Sequence, residues 1–272
     1  MVKSVQNILE SFVPELKGYK DRSVFNSNEI HNIVEKRRHF ELKMLRRLKK
    51  ITDFVAYIKS EEKIRKLRNK RIIKVGTNTI QSDFILERNI LSIYIRAMRL
   101  FEETSLIKSF VDFCISTGFE SEMKRILNEK CMKKPNDRDL WIFAAKKCSD
   151  INDIELAREF FIKAISLCDD KEHRIYIEFF RVEVNYMKTL IKFNKDMGIN
   201  ECDYGEVEKG NVALAVLEEF IDKVTELDLK ELAVIAKNFL KSNQLLKKNL
   251  KKNKFFIKTL HYLRCNKIRK KF

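Results

Sequence analysis

Apolar residues recur along almost the whole chain at helical spacing, not at the alternate spacing of strands. The clearest stretch runs from Asp137 to Cys168, DRDLWIFAAKKCSDINDIELAREFFIKAISLC. Leu140, Trp141, Ala144, Ala145 and Cys148 share one face of a first helix, with Arg138, Lys146 and Lys147 on its other sides. Asn152-Asp153 supply N-cap chemistry for a second helix, whose stripe is Ile154, Ala157, Phe160, Phe161, Ala164, Ile165 and Leu167. Two helices this short cannot bury both stripes against each other alone, so copies are expected on either side. Weak copies exist. Ala97, Cys131 and Ala164 recur at intervals of 34 and 33 residues, and Ile107, Trp141 and Tyr176 at 34 and 35. That period fits arrays of helix pairs, tetratricopeptide arrays among them, and by itself chooses no family.

The same pattern predicts the flanking elements. Residues 1 to 50 read as two helices, with Pro14 permitting a break or kink. Ser27-Asn28 is the expected cap of a helix striped by Ile30, Ile33, Val34, Phe40, Leu42, Leu45 and Leu48. A long helix over Asp53 to Lys74 turns Phe54, Tyr57, Ile58, Ile64 and Leu67 inward, is basic on its outer side, and ends at Gly76-Thr77-Asn78. Its antiparallel partner spans Asp83 to Phe101, with Phe84, Ile85, Ile90, Leu91, Tyr94, Ala97 and Met98 facing in. Thr104-Ser105 should cap the next pair, Gly118 should close its first helix and Pro135 should stop its second. A longer helix from His173 to Phe193 carries an aromatic stripe (Tyr176, Phe179, Phe180, Tyr186 and Phe193) that reads as core. Met197 to Gly210, with Glu201, Asp203, Glu206 and Glu208, is expected to project as an acidic loop. Helices resume over Asn211 to Val224 and Leu229 to Phe239. The predicted organisation is an N-terminal helical segment (1–50), an array of about four helix pairs (51–240) and a basic amphipathic tail (241–272).

Composition sharpens this into an all-α fold, because only 6 Gly and 2 Pro interrupt 272 residues. The six cysteines, at 114, 131, 148, 168, 202 and 265, form no C-x-x-C pair, and four of them fall on apolar helix faces, which predicts free buried thiols in a reducing compartment. Residues 1 to 20 do not read as a signal peptide and no long apolar run occurs, so a soluble intracellular chain is expected. The net charge of +17 is unevenly distributed. Lys36 to Lys74 holds 16 Lys/Arg against 4 Asp/Glu, and Lys237 to Phe272 holds 13 Lys/Arg and no acid, which leaves −8 on the rest. Such concentrations point to a polyanion, with RNA backbone as the obvious candidate; a solvated surface is the equal alternative for the N-terminal segment, and an acidic partner stands beside RNA for the tail. The residues singled out are Lys36, Arg37, Arg38, Arg46 and Arg47, and in the tail Lys251, Lys252, Arg269, Lys270 and Lys271. No Walker A loop, G-x-G-x-x-G, H-E-x-x-H or G-x-S-x-G occurs, and His31, His39, His173 and His261 do not pair, so neither catalysis, metal nor cofactor is expected.

Side-chain identities narrow the repeat. Ile107 with Phe110, Trp141 with Ala144, and Tyr176 with Phe179, followed by Arg158-x4-Lys163-Ala164, resemble the half-a-TPR (HAT) repeat of RNA-processing particles. Tyr94, Ala97, Phe110, Trp141, Ala164, Tyr176 and Phe179 are then the repeat-packing positions. The N-terminal run from Val13 to Arg47 resembles the opening of the U three small nucleolar RNA-associated protein six family. The matching features are Pro14-Glu15-Leu16, Val24-Phe25 with Glu29-Ile30, and Lys36-Arg37-Arg38 through Phe40-Glu41. Leu140-Trp141-Ile142 and Tyr176 to Glu183 are also close to family signatures, and the resemblance covers most of residues 8 to 186. It implies a right-handed α-solenoid of HAT pairs, a shortened member lacking later repeats. It further implies a nucleolar, non-catalytic scaffold of the small-subunit processome, needed for 18S pre-rRNA processing. The implied partners are the β-propeller (WD-repeat) subunits of the UTP-B subcomplex, the U three snoRNP and 5′ pre-rRNA, with no membrane and no small-molecule substrate. A HAT scaffold of the spliceosome or of mRNA 3′-end cleavage, and a direct RNA-binding module, are the alternatives.

Overall fold

The structure is a computed structural model that describes residues 2–168, 174–200 and 203–221. The described residues form eleven α-helices and one short 3-10 turn, with no strand among them. The chain divides into two compact units, Met1–Met123 and Lys124–Phe272.

The first unit contains α1 (Val2–Glu10), α2 (Val13–Asp21), α3 (Ser27–Met44), α4 (Ile51–Val75), the 3-10 turn (Gln81–Asp83), α5 (Phe84–Leu100), α6 (Thr104–Thr117) and the start of α7 (Glu120–Lys133). Three helices precede residue 50, not the expected two. Pro14 does not kink a helix but starts one, in the first turn of α2, where its missing N–H removes no helical bond. α3 is capped by Asn26, one residue before the predicted pair. The Asn26 side chain accepts from the Glu29 N–H at 2.8 Å and the Glu29 carboxylate accepts from the Asn26 N–H at 3.0 Å. That reciprocal geometry needs an acid three residues after the cap, which Ser27 lacks and Asn26 has. α4 and α6 end on Gly76 and Gly118, both left-handed (φ 72° and 78°), as the sequence predicts. Thr104-Ser105 does not cap α6; Glu103 stands at the cap position, where its carboxylate accepts from the Ser105 hydroxyl at 3.3 Å but from no backbone N–H of the helix.

α1 and α2 pack on α3, α3 on α4, α4 on α5, and α5 on α6. Val5, Leu9, Phe12, Leu16, Tyr19 and Phe25 form the core beneath the N-terminal helices, which Ile33 and Ile72 complete from α3 and α4. Each such side chain contributes about 1.5–3 kcal/mol on burial. The predicted apolar stripe of α3 fails at its C-terminal end. Leu42 is 48% and Leu48 83% exposed, because the inward face runs instead through Ile33, Arg37, Glu41 and Met44. Leu67 and Phe84, also expected inside, are exposed as well. The inward positions beside them on α4 and α5 are held by Arg68, Glu87 and Asn89.

The second unit contains the rest of α7, α8 (Arg138–Asp150), α9 (Ile154–Leu167), α10 (Arg174–Asp196) and α11 (Asn211–Ile221). α8 and α9 form the hairpin read from the sequence, and α10 packs on both and on α11. Asp137 and Asp153 cap the two helices, accepting from the N–H groups of Leu140 and Leu156 at 3.1 and 3.2 Å. Asn152 takes the left-handed conformation of the turn between them. Trp141 and Phe160 meet edge to face in the middle of the hairpin. Phe161 stacks on Phe179 of α10 at 4.8 Å between ring centroids. Phe193, expected in the aromatic core, is exposed. The segment after α10 is tied back instead of projecting freely: Tyr204 is buried and the Asn194 amide donates to Glu208 at 3.1 Å. Cys114, Cys131 and Cys148 are free and buried, and burial pushes each thiol up to about 12. The helix predicted over Leu229 to Phe239 and the basic tail 241–272 lie outside the described residues.

Candidate nucleic-acid interface

The cations of the first unit sort into an inner and an outer set. Arg37, predicted as a polyanion contact, belongs to the inner one and is 0% exposed. Its guanidinium takes the Glu15 carboxylate at 3.1 Å through both terminal nitrogens, and Glu61 at 2.9–3.2 Å through Nε and Nη2. Asn89 donates a further bond to Glu61 at 3.3 Å, and the Phe12 ring lies 4.3 Å from the guanidinium carbon. Burial alone would ease the proton off Arg37, but the charges of Glu61 and Glu15 outweigh it and hold the group protonated. A polyanion cannot reach Arg37 in the folded chain, so the arginine joins α2, α3 and α4 and recognises nothing outside them.

Other arginines do the same work between neighbouring helices. Arg68 of α4 donates to the Asp83 carbonyl at 2.8 Å and pairs with Glu87 of α5 at 2.5 Å. Arg96 of α5 grips Glu41 of α3 through two bonds of 2.8 Å. Arg22 of α2 pairs with Asp83 of the 3-10 turn. Arg71 of α4 reaches the capping Glu29 at 2.7 Å and the Val24 carbonyl at 3.0 Å. The planar fork of arginine suits these two-pronged contacts.

Arg71 and the Asn26 N–H together hold the Glu29 carboxyl at about 2, below its ordinary 4.5. The folded form therefore releases this proton more readily than the unfolded one. The contribution is present above about pH 4.5 and is lost as pH falls toward about 2. Glu29→Gln should accordingly lower the melting temperature near neutral pH. Its gap to the parent chain should narrow progressively in melts run stepwise down to about pH 3, midway in that window. A gap independent of pH would contradict this assignment.

The outer set faces solvent. Lys36, Arg46 and Arg47 are exposed, and Arg38 is exposed but leans on Glu35 at 2.9 Å. Arg46, Arg47, Lys49 and Lys50 crowd the link between α3 and α4. Along α4, Lys59, Lys63, Lys66, Lys70 and Lys74 are all exposed. The sequence predicts basic character on this side of α4 but does not distinguish these lysines. A groove of about 870 Å³ opens between α4 and α6, floored by Ile58, Tyr94 and Phe113 and flanked by Val55, Arg65 and Ser109. The Arg65 guanidinium lies 5.3 Å from the centre of the Phe113 ring.

Lys251, Lys252, Arg269, Lys270 and Lys271 lie outside the described residues. The repeat-packing positions Tyr94, Ala97, Phe110, Trp141, Ala164, Tyr176 and Phe179 are all buried. Arg158, the arginine of the Arg-x4-Lys-Ala pattern, pairs from α9 with the buried Glu183 of α10 at 2.7 and 2.9 Å. Among the described residues no cluster of His, Cys, Asp and Glu could hold a metal ion, and no helix is long and apolar enough to cross a membrane.

Residues 9–91 match the family model described as U3 small nucleolar RNA-associated protein 6. Over 241 residues, 81% of this chain, the sequence is 29% identical to the U3 small nucleolar RNA-associated protein 6 of Schizosaccharomyces pombe, 49% of whose length is covered. It is 25% identical over 234 residues to the mouse homolog and 24% identical over 231 residues to the human one, covering 39% and 38% of them. The chain thus spans about half or less of the relatives it matches. The family match takes in α2 to α4 and the first half of α5, and so contains the Glu15–Arg37–Glu61 cluster.

Proposed function

We propose, for a chain related to the U3 small nucleolar RNA-associated protein 6 family, a non-catalytic scaffold role in ribosome biogenesis. The observation that carries this reading is the family match over residues 9–91 together with relatives of that one name in yeast, mouse and human. In finer terms, the protein acts in the small-subunit processome on the way to 18S rRNA, in the nucleolus. Its helix pairs, read as HAT repeats, hold WD-repeat subunits of the UTP-B subcomplex. Its basic helices approach U3 snoRNA and 5′ pre-rRNA. The groove between α4 and α6 supports a holding role, since its apolar floor and polar rim are the chemistry of a peptide or helix site. The exposed cations around α3 and α4 support the approach to RNA.

Affinity purification of the tagged chain at moderate salt, with the co-purifying proteins identified by mass spectrometry, tests the partner assignment. WD-repeat subunits of the processome are the expected recovery. Spliceosomal or 3′-end cleavage factors in their place would leave the helical fold standing and overturn the function.

A further inference from the structure

α4 separates its cations by type. Its inward and flanking arginines, Arg68 and Arg71, are committed to Glu87 and Glu29, whereas Lys59, Lys63, Lys66, Lys70 and Lys74 all face solvent. At 3.6 residues per turn these five positions fall within an arc of about 80°, so they form one row along the helix. With a rise of 1.5 Å per residue the row is about 22 Å long. Among the described residues none of the five ammonium groups has a carboxylate partner.

From this arrangement we infer that the lysine row of α4 is a binding track for the phosphate backbone of single-stranded RNA. The inference rests on the proposed association with RNA and gives it a surface distinct from Lys36, Arg46 and Arg47. Three observations favour nucleic acid over an acidic protein. The charges repeat at intervals of three or four residues with no acid in the row, as a regularly charged backbone requires. A strand stacked as in a duplex, with one phosphate per about 3.4 Å of axis, presents about six of them along the same length. Protein interfaces, by contrast, are centred on aromatic and arginine anchors and are depleted in lysine, and this row holds neither an aromatic residue nor an arginine. Ile73, 81% exposed, and Leu67 flank the row singly on opposite sides and form no patch. The lysines have no structural role, so flexible ammonium groups on long stems can follow a backbone without fixed geometry.

The test is fluorescence anisotropy of the full chain with a labelled single-stranded RNA of mixed sequence, titrated across salt concentrations. Each lysine engaged with a phosphate contributes about 0.7 to the slope of log K against log salt. The variant K59Q/K63Q/K66Q/K70Q/K74Q should therefore lose up to about 3.5 of that slope and bind at least tenfold more weakly at low salt. A control removing five exposed charges elsewhere, K17Q/K20Q/R88Q/K192Q/K195Q, should lose little of either, and both variants should melt as the parent does. Equal losses in the two variants would reduce the effect to net charge and overturn the track. So would an unchanged slope in the α4 variant, or a polyglutamate competitor displacing the RNA as well as unlabelled RNA does. Probing U3 snoRNA in purifications of the parent chain separates the two readings. A missing U3 signal with a lost slope overturns the proposed association and leaves the track, and the reverse pair of results overturns only the track.

Discussion

Arg37→Ala is expected to destabilise the first helical unit by about 3–5 kcal/mol, the usual cost of stripping one partner from a buried ion cluster. The loss follows from what remains. Without the guanidinium, Glu15 and Glu61 face each other with no compensating charge, in a site from which water is excluded. The loss should appear in urea unfolding and as accelerated hydrogen exchange in α2, α3 and α4. Arg38→Ala, one residue along and paired only with exposed Glu35, should cost less than about 1 kcal/mol. A combined Arg37→Met, Glu15→Leu, Glu61→Leu chain should recover much of the loss, because apolar residues of similar volume replace buried ion clusters well. If Arg37→Ala left stability intact and only weakened RNA binding, the residue would be a surface contact and the buried cluster would be wrong.

In the second unit, Trp141→Ala is expected to cost about 3–5 kcal/mol. The indole is fully buried, meets Phe160 edge to face at 5.9 Å, and donates its N–H to the Pro135 carbonyl at 2.9 Å. Alanine would leave a cavity between α8 and α9 and remove one donor from a carbonyl that Cys168 also approaches. Trp141→Phe keeps most of the ring contact and should cost about half as much. Because Trp141 is the only tryptophan in the chain, the comparison is read by circular dichroism and not by fluorescence. A Trp141→Ala chain as stable as the parent would mean that this hairpin is not the packed centre of its unit.

The α8–α9 hairpin is legible in the sequence because the local signals agree: Asp137 and Asp153 cap, the stripes have helical period, and both are filled by apolar residues, with only Leu167 at the end of the α9 stripe left exposed. Legibility failed where charged residues occupy inward positions. Ile33, Arg37, Glu41 and Met44 lie on one face of α3, and Phe54, Tyr57, Glu61, Arg68 and Ile72 line the inward side of α4. A reading that follows apolar residues alone passes over Arg37 and Glu41 and assigns the face to Leu42, Leu45 and Leu48. The available signal was the spacing of Arg37 and Glu41 within the stripe of Ile33 and Met44, with Glu61 and Arg68 repeating it on the next helix. Net charge is equally blind to burial: within the strongly basic segment from Lys36 to Lys74, Arg37 and Lys36 count alike, although one is enclosed by two carboxylates and the other faces water. Only the assembled helices separate arginines that join α2, α3, α4 and α5 from lysines left outside.

Sequencing the RNA crosslinked by ultraviolet light to the tagged chain in cells tests the proposed role in ribosome biogenesis most directly. Reads should concentrate on U3 snoRNA and the 5′ region of pre-ribosomal RNA. Reads on spliceosomal RNAs or on the 3′ ends of pre-mRNA, with U3 no higher than background, would contradict it.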